Sequence, residues 1–88
     1  MEIKVATREC VDQLGRPRRF CYYLTVDQIE TERFCCEDYG VRISEEAGDS
    51  VSIPCVTTSA QRIDELLSLL AEHQVGPAGL ADVVADWL

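Results

Sequence analysis

The chain has 88 residues, of which 47% are hydrophobic and 27% charged, so it is long enough for one small domain and too hydrophobic for the class of chains that stay disordered. Its formal net charge of -8 at pH 7 opposes attraction to nucleic acids and to anionic membranes, because both are polyanions. We therefore expect a single domain over residues 1–88 that binds neither nucleic acid nor membrane.

Residues 2–12 predict the first strand. Ile3, Val5 and Thr7 fall on one side of a rough alternation, which is typical of a strand with one face in water. Gly15 supplies turn freedom and Pro17 removes a backbone donor, so we expect the chain to reverse direction there.

The second strand is predicted over residues 20–26, which are rich in aromatic and β-branched residues. Its expected core face consists of Phe20, Tyr22, Leu24 and Val26. Its other face carries Cys21, Tyr23 and Thr25. Residues 27–32 are polar apart from Ile29 and predict a loop or a single helical turn.

Further strand structure is expected up to residue 56. In residues 33–46 the apolar pattern changes face around Gly40, which predicts a bulge or a break, so this stretch is one bent strand or two. Residues 50–56 predict the last strand. Pro54 cannot donate a hydrogen bond, which places that strand at an edge or near its end. The residues expected on one side of it are Val51, Ile53 and Cys55.

The clearest periodic signal lies in residues 58–75 and predicts a helix over about 59–75. Thr58 and Gln61 fit a capping box at its start. Gly76 suits the left-handed residue that ends a helix, and Pro77 suits the first turn of another. The apolar stripe, at the spacing i, i+3, i+4, i+7, consists of Ile63, Leu66, Leu67 and Leu70.

A second short amphipathic helix is predicted over about 77–88, with its own stripe at Leu80, Val83, Val84, Trp87 and Leu88. The expected fold class is therefore α+β. Residues 2–56 form an antiparallel β-meander of about three to five strands, which the helices at about 59–75 and 77–88 cover on one face.

The cysteines are Cys10, Cys21, Cys35, Cys36 and Cys55. The adjacent pair Cys35 and Cys36 is a candidate thiol switch or half of a metal site. Neighbours in a strand point to opposite faces, however, and no C-x-x-C or H-x-x-x-H spacing accompanies the pair. We interpret these cysteines as packing residues and expect no metal and no cofactor. The odd number of cysteines, with no secretory leader, indicates a cytoplasmic protein with reduced thiols.

The R-P-R-R turn makes Arg16, Arg18 and Arg19 candidate contacts for an acidic protein surface, with a solvated turn as the ordinary interpretation. Residues 1–19 hold five basic and three acidic residues, a net charge of +2, so residues 20–88 carry -10. Cys21 and Tyr23 belong to a sheet face that the helices leave uncovered. That half-apolar face is a candidate interface for a protein partner or for a homo-oligomer.

The sequence contains no G-x-G-x-x-G, P-loop, G-x-S-x-G or H-E-x-x-H motif. His73, the single histidine, has no partner evident in sequence for acid–base chemistry. We expect no catalytic activity. Two hypotheses for function follow: a small protein-binding or regulatory module and, as the alternative, a cysteine-dependent metal or redox sensor.

Several patterns extend over nearly the whole chain: Y-Y-L-T-V-D at 22–27, Y-G-V-R-I at 39–43, T-T at 57–58, V-x-P at 75–77 and L-x-D-V-V-x-D-W-L at 80–88. With them the chain resembles a family of short proteins of clostridia-like bacteria that is classed as a domain of unknown function. The resemblance implies a cytoplasmic bacterial protein. It brings no activity, cofactor or binding residue.

Overall fold

A computed structural model of the chain describes residues 1–30, 32, 35–46 and 48–88. The strands pair antiparallel in the order β1-β2-β3-β4, and two C-terminal helices pack on one face of the sheet. This confirms the predicted α+β meander. The elements are β1 (Glu2–Val11), β2 (Pro17–Glu30), β3 (Cys35–Glu45), β4 (Ser50–Thr57), α1 (Ala60–Glu72), a short 3-10 helix (Pro77–Gly79) and α2 (Leu80–Trp87).

The hairpin of β2 and β3 is longer than predicted. Residues 27–30, expected as a loop or helical turn, continue β2 and pair with residues 35–38. The prediction was wrong because a partner strand satisfies the backbone of a polar segment as well as that of an apolar one. The predicted third strand began at Arg33 and Phe34, which lie outside the described residues. The molecule measures 54 × 24 × 17 Å, so it is long and two layers thick.

The core lies between the helices and the middle of the sheet. Tyr22, Ile43 and Leu66 are all fully buried there. Alternate residues of β2 and β3 supply one side of the core and the predicted helical stripes supply the other. Leu88 is the exception: it was expected on the stripe of the second helix but is exposed, because α2 ends at Trp87. The buried cluster consists of Phe20, Tyr22, Val41, Ile43, Ile63, Leu66, Leu67, Leu70, Leu80 and Val84.

The irregularity predicted at Gly40 belongs to the pairing of β3 with β4. Tyr39 pairs with Thr57 and Val41 with Ile53, so residues 54–56 of β4 oppose Gly40 alone. Against β2, by contrast, β3 pairs without any shift in register. Regular alternation therefore places Cys36 on the face opposite to Val41, and the apolar pattern of β3 requires no bulge in β3 itself.

The extra residues make β4 an irregular edge strand. Pro54 lies at that edge, as predicted. Cys55 adopts a left-handed φ of 57° and is exposed, so its predicted alignment with Val51 and Ile53 is wrong. A Cβ atom at Gly40 would lie 2.7 Å from Pro54 Cα and 2.7 Å from Thr25 Oγ1, so only glycine fits beneath the bulge.

β1 contains a second bulge, which the sequence pattern did not reveal. Its register against β2 shifts between Lys4 and Ala6. Ile3 and Ala6 face the helix layer, whereas Thr7 pairs with Cys21 on the uncovered face. The predicted grouping of Ile3, Val5 and Thr7 is wrong because one extra residue reverses the alternation.

Helix α1 begins one residue later than the capping box indicated. The Ser59 hydroxyl accepts a hydrogen bond of 3.2 Å from the Arg62 N–H, so Ser59 is the N-cap in place of Thr58. The Thr57 hydroxyl in turn accepts from the Ser59 N–H at 3.1 Å.

The end of α1 also differs from the prediction. Gln74, not Gly76, adopts the left-handed conformation, with φ 53°. The Val75 N–H donates to Leu70 O at 3.0 Å and the Gln74 N–H to Ala71 O at 3.2 Å, the two bonds of a Schellman motif. Gly76 has another role, since a Cβ there would lie 3.1 Å from the Phe20 ring.

The corner after α1 is fixed to the sheet. The Tyr22 hydroxyl donates a hydrogen bond of 2.8 Å to the carbonyl of Val75. Pro77 is buried and is the first residue of the 3-10 helix. The buried side chains of Leu80 and Val84 pack α2 against the core. Within the described part of the chain, neither helix has the length and apolar character needed to span a bilayer.

Candidate functional site

Two of the predicted arginines are held by carboxylates near the β1–β2 turn. Arg16 Nε lies 3.2 Å from Asp12 Oδ2, and the Arg16 backbone N–H, bonded to the same carboxyl, keeps the pKa of Asp12 below its usual range. Arg18 donates two bonds, of 2.5 and 2.7 Å, to Glu45, which lowers the pKa of that carboxyl. Both guanidinium groups therefore have an intramolecular acceptor.

Arg19 lies on the opposite face of β2 from Arg18, since neighbours in a strand alternate. It donates to Glu9 and lies 3.2 Å from Glu46. The three arginines therefore do not form one cationic patch. Instead, Arg19 shares the uncovered face with Cys21 and Tyr23, so the structure brings together only part of the predicted site.

The uncovered face is more polar than the sequence suggested. The Arg42 guanidinium lies over the Tyr23 ring at 4.2 Å and also contacts Glu2 at 3.1 Å and Ser50 Oγ at 3.0 Å. Cys21 is half-buried beside the hydroxyl of Thr7. An ion pair and a cation–π contact thus lie on the face that was expected to be half-apolar and free.

The described thiols are dispersed. Cys10 packs against the core, Cys21 lies on the uncovered face, and Cys36 pairs with Ile29 near the far end of the sheet. Although Cys55 is exposed as a residue, partial desolvation of its thiol and a hydrogen bond with Asp38 raise the pKa of that thiol, which disfavours the reactive thiolate. The Cys35 side chain lies outside the described part of the structure. Among the described residues, no three metal-binding side chains form a group.

The outer edge of β1 carries an exposed apolar set that the sequence analysis missed. β1 is the end strand of the sheet. Five of the seven large apolar side chains that are exposed among the described residues lie on β1, next to its start or in the turn that follows it: Met1, Ile3, Val5, Val11 and Leu14. Their concentration at one end of the chain was the available signal, but the predicted alternation placed Ile3 and Val5 together on one side of a strand with only one face in water.

The backbone of β1 presents regularly spaced groups to this edge. Met1 and Val26 exchange hydrogen bonds of 3.0 and 2.8 Å, and the Asp12 N–H donates to Arg16 O at 3.0 Å. These residues therefore point inward toward β2. By the alternation of an antiparallel ladder on each side of the bulge, the residues whose N–H and C=O groups point outward are Glu2, Lys4, Thr7, Glu9 and Val11.

The two edges of the sheet differ in protection. β4 is eight residues long and is interrupted by Pro54 and the left-handed Cys55, which both discourage pairing. β1 is ten residues long, and its register shift against β2 lies near its start. Residues 6–11 therefore form a regular outer edge, with which no other strand of the described part of the chain pairs. This edge, with its exposed apolar side chains, is the candidate functional site.

Comparison with known families identifies the chain as a member of one of them. The sequence model of a family, described as a family of unknown function (DUF6514), matches residues 1–88. The comparisons with curated proteins and with solved structures gave no match. The resemblance seen in the sequence is thereby confirmed at the level of a family of unknown function.

Proposed function

The chain belongs to this family of unknown function, and we propose that it is a protein-binding module without catalytic activity, which binds other polypeptides along the outer edge of β1. One observation carries the proposal: the outer backbone edge of β1, which no other strand of the described residues pairs, coincides with the exposed apolar side chains of Ile3, Val5 and Val11 on the same strand. Strand addition uses both features, because main-chain hydrogen bonds supply affinity and alternate side chains supply selectivity.

We place this module in the bacterial cytoplasm with its thiols reduced, in line with its free cysteines and its acidic charge. A cysteine-dependent metal or redox sensor has less support. Cys10 and Cys21 lie on opposite faces of the sheet, and the raised pKa of Cys55 opposes thiolate chemistry.

The substitution Thr7→Pro tests the proposal. The backbone N–H of Thr7 points outward, so removing that N–H leaves the hydrogen bonds between β1 and β2 intact. The immobilised wild-type chain, Thr7→Pro and Thr7→Val are each exposed to lysate of the native host. Thr7→Val is the matched control, since it keeps the N–H.

We expect wild type and Thr7→Val to retain the same polypeptides, further copies of the chain included, and Thr7→Pro to lose them. Equal retention by all three folded proteins, or by none of them, would contradict binding at this edge.

A further inference from the structure

We infer that the polypeptide bound at the β1 edge is β1 of a second copy of the chain, paired antiparallel about a two-fold axis centred on Thr7. This inference rests on the proposed function. It adds which polypeptide binds at the β1 edge and which residues of the two strands lie opposite one another. Two sheets of four strands would become one sheet of eight, with both helix layers on the same side.

The charge of β1 favours a second copy. The chain as a whole carries a formal charge of -8, so two copies repel one another over most of their surfaces. β1 is an exception, because its two basic residues balance its two acidic residues to give a net charge of zero. These residues are Glu2, Lys4, Arg8 and Glu9. Copies that meet edge to edge at β1 therefore meet on a strand without net charge. The other edge strand, β4, has no charged residue, but Pro54 and the left-handed Cys55 interrupt it.

The geometry of the pairing restricts the register. A two-fold axis that relates antiparallel edges preserves the sheet faces, so a residue on the helix-covered face must lie opposite another residue on that face. The extra residue at Val5 reverses the alternation of faces along β1. Val5 of each copy must therefore remain without an opposing residue, so that the residues on both sides of it stay matched by face. Setting Val5 aside, Thr7 is the middle of Glu2–Val11, and a register centred on it overlaps the whole strand.

In this register the opposing residues suit one another. Thr7 lies opposite Thr7 of the second copy, and Ala6 lies opposite Arg8. Beyond the bulge, Lys4 meets Glu9 on the uncovered face, and the exposed Ile3 meets Cys10 on the covered face. Because both Lys4 and Glu9 direct their backbone groups outward, each such pair is also joined by main-chain hydrogen bonds.

Glu9 has room for this contact. Both of its hydrogen bonds from Arg19 go to Oε1. The second carboxylate oxygen, Oε2, is left for Lys4 of the other copy. Symmetry produces the Lys4–Glu9 pair twice in each dimer, at the two ends of the shared strand pair.

The neighbouring face-matched registers are disfavoured by charge. Centring the axis on Arg8 places two guanidinium groups directly opposite one another. Centring it on Ala6 places Glu2 opposite Glu9 at both ends. Like charges in directly opposed positions destabilise a strand pair, so charge and overlap select the same register.

Complementary charge reversal tests the register by sedimentation of Lys4→Glu, Glu9→Lys and their equimolar mixture. Each variant alone places like charges opposite one another at both ends, which should weaken self-association by about tenfold. In the mixed dimer both pairs regain opposite charge, and we expect association at the level of the wild type. Glu9→Lys also brings the net charge from -8 to -6, so a general charge effect would strengthen its association instead.

Circular dichroism and thermal melting are used to check that each variant is folded. Sedimentation of Thr7→Pro and of its control Thr7→Val is a second test, in which the charge of the side chains is unchanged. A wild-type chain that stays monomeric at millimolar concentration, or a mixture no stronger than its components, would overturn the inference. If the chain is monomeric but retains from lysate a polypeptide that Thr7→Pro does not retain, the β1 edge is a binding site and the inference that it binds a second copy of the chain is wrong.

Discussion

Gln74 shows how a single residue terminates α1 under conformational strain. It takes the left-handed position of a Schellman motif, with φ 53°, although glycine is the residue that adopts this conformation without cost. We expect Gln74→Gly to raise the free energy of unfolding by about 0.5–1 kcal/mol, since a side chain in this region costs about 1–2 kcal/mol. Urea unfolding measures the change. Gln74→Ala is the control, and an equal gain for alanine would refute relief of strain as the cause.

Tyr22 links the core to the corner after α1, and its environment affects stability at high pH. Burial raises the pKa of its hydroxyl from 10.0 to about 12. Between pH 10 and about pH 12 the hydroxyl of Tyr22 is therefore still protonated in the folded chain but ionised in the unfolded chain. The stability that this hydroxyl contributes is complete below pH 10 and is lost as the pH rises to about 12. We expect wild type to exceed Tyr22→Phe in the free energy of unfolding below pH 10, and the difference to shrink above it. Urea titrations from pH 9 to 12 test this, and a pH-independent difference would contradict it.

Individual residues also mark where sequence reasoning fails. The residue type at Gly40 indicated an irregularity correctly, but not that the extra residues belong to β4. The bulge at Val5 had no such signal, because neither glycine nor proline occurs there. A bulge is set by the pairing of two strands, and a pattern within one strand does not contain that information.

At the level of elements, local patterns predicted the helices well. The stripe of α1 is buried at every predicted position, because a period of 3.6 fixes one face regardless of its partner. The boundaries were less accurate: Thr58 and Ser59 both suit an N-cap, and only the hydroxyl geometry distinguishes them. The polar part of β2 was missed because its pairing with β3 is not local.

The stripe of α1 provides a test of how the helix contributes to stability. Leu66 is fully buried in the core. We expect Leu66→Ala to lower the free energy of unfolding by about 2–5 kcal/mol, because it removes apolar contacts and leaves a cavity. Ser68→Ala, on the exposed side of the same helix, should change it by less than about 0.5 kcal/mol. Equal melting temperatures for Leu66→Ala and wild type would show that the helix is not part of the scaffold.

At the scale of the whole molecule, the helices cover the middle of the sheet, and the two sheet edges differ. The sequence predicted the edge position of β4 through Pro54. It did not predict β1 as the open edge, because strand order and the outward direction of backbone groups depend on pairing. The predicted interface residues Cys21 and Tyr23 lie on the uncovered face beside β1. The Arg42 guanidinium lies over the Tyr23 ring, and Cys21 lies beside the Thr7 hydroxyl. The candidate site thus moves by one strand from its predicted place.

The most direct test of the β1 edge is amide hydrogen exchange of the wild-type chain at low and high protein concentration. The outward amides of Thr7, Glu9 and Val11 should exchange fast when dilute and slowly when concentrated, as strand pairing covers them. The inward amides of Ala6 and Arg8 are internal controls and should stay protected at both concentrations. Outward amides that exchange equally fast at every concentration would contradict the pairing of β1 with a second copy.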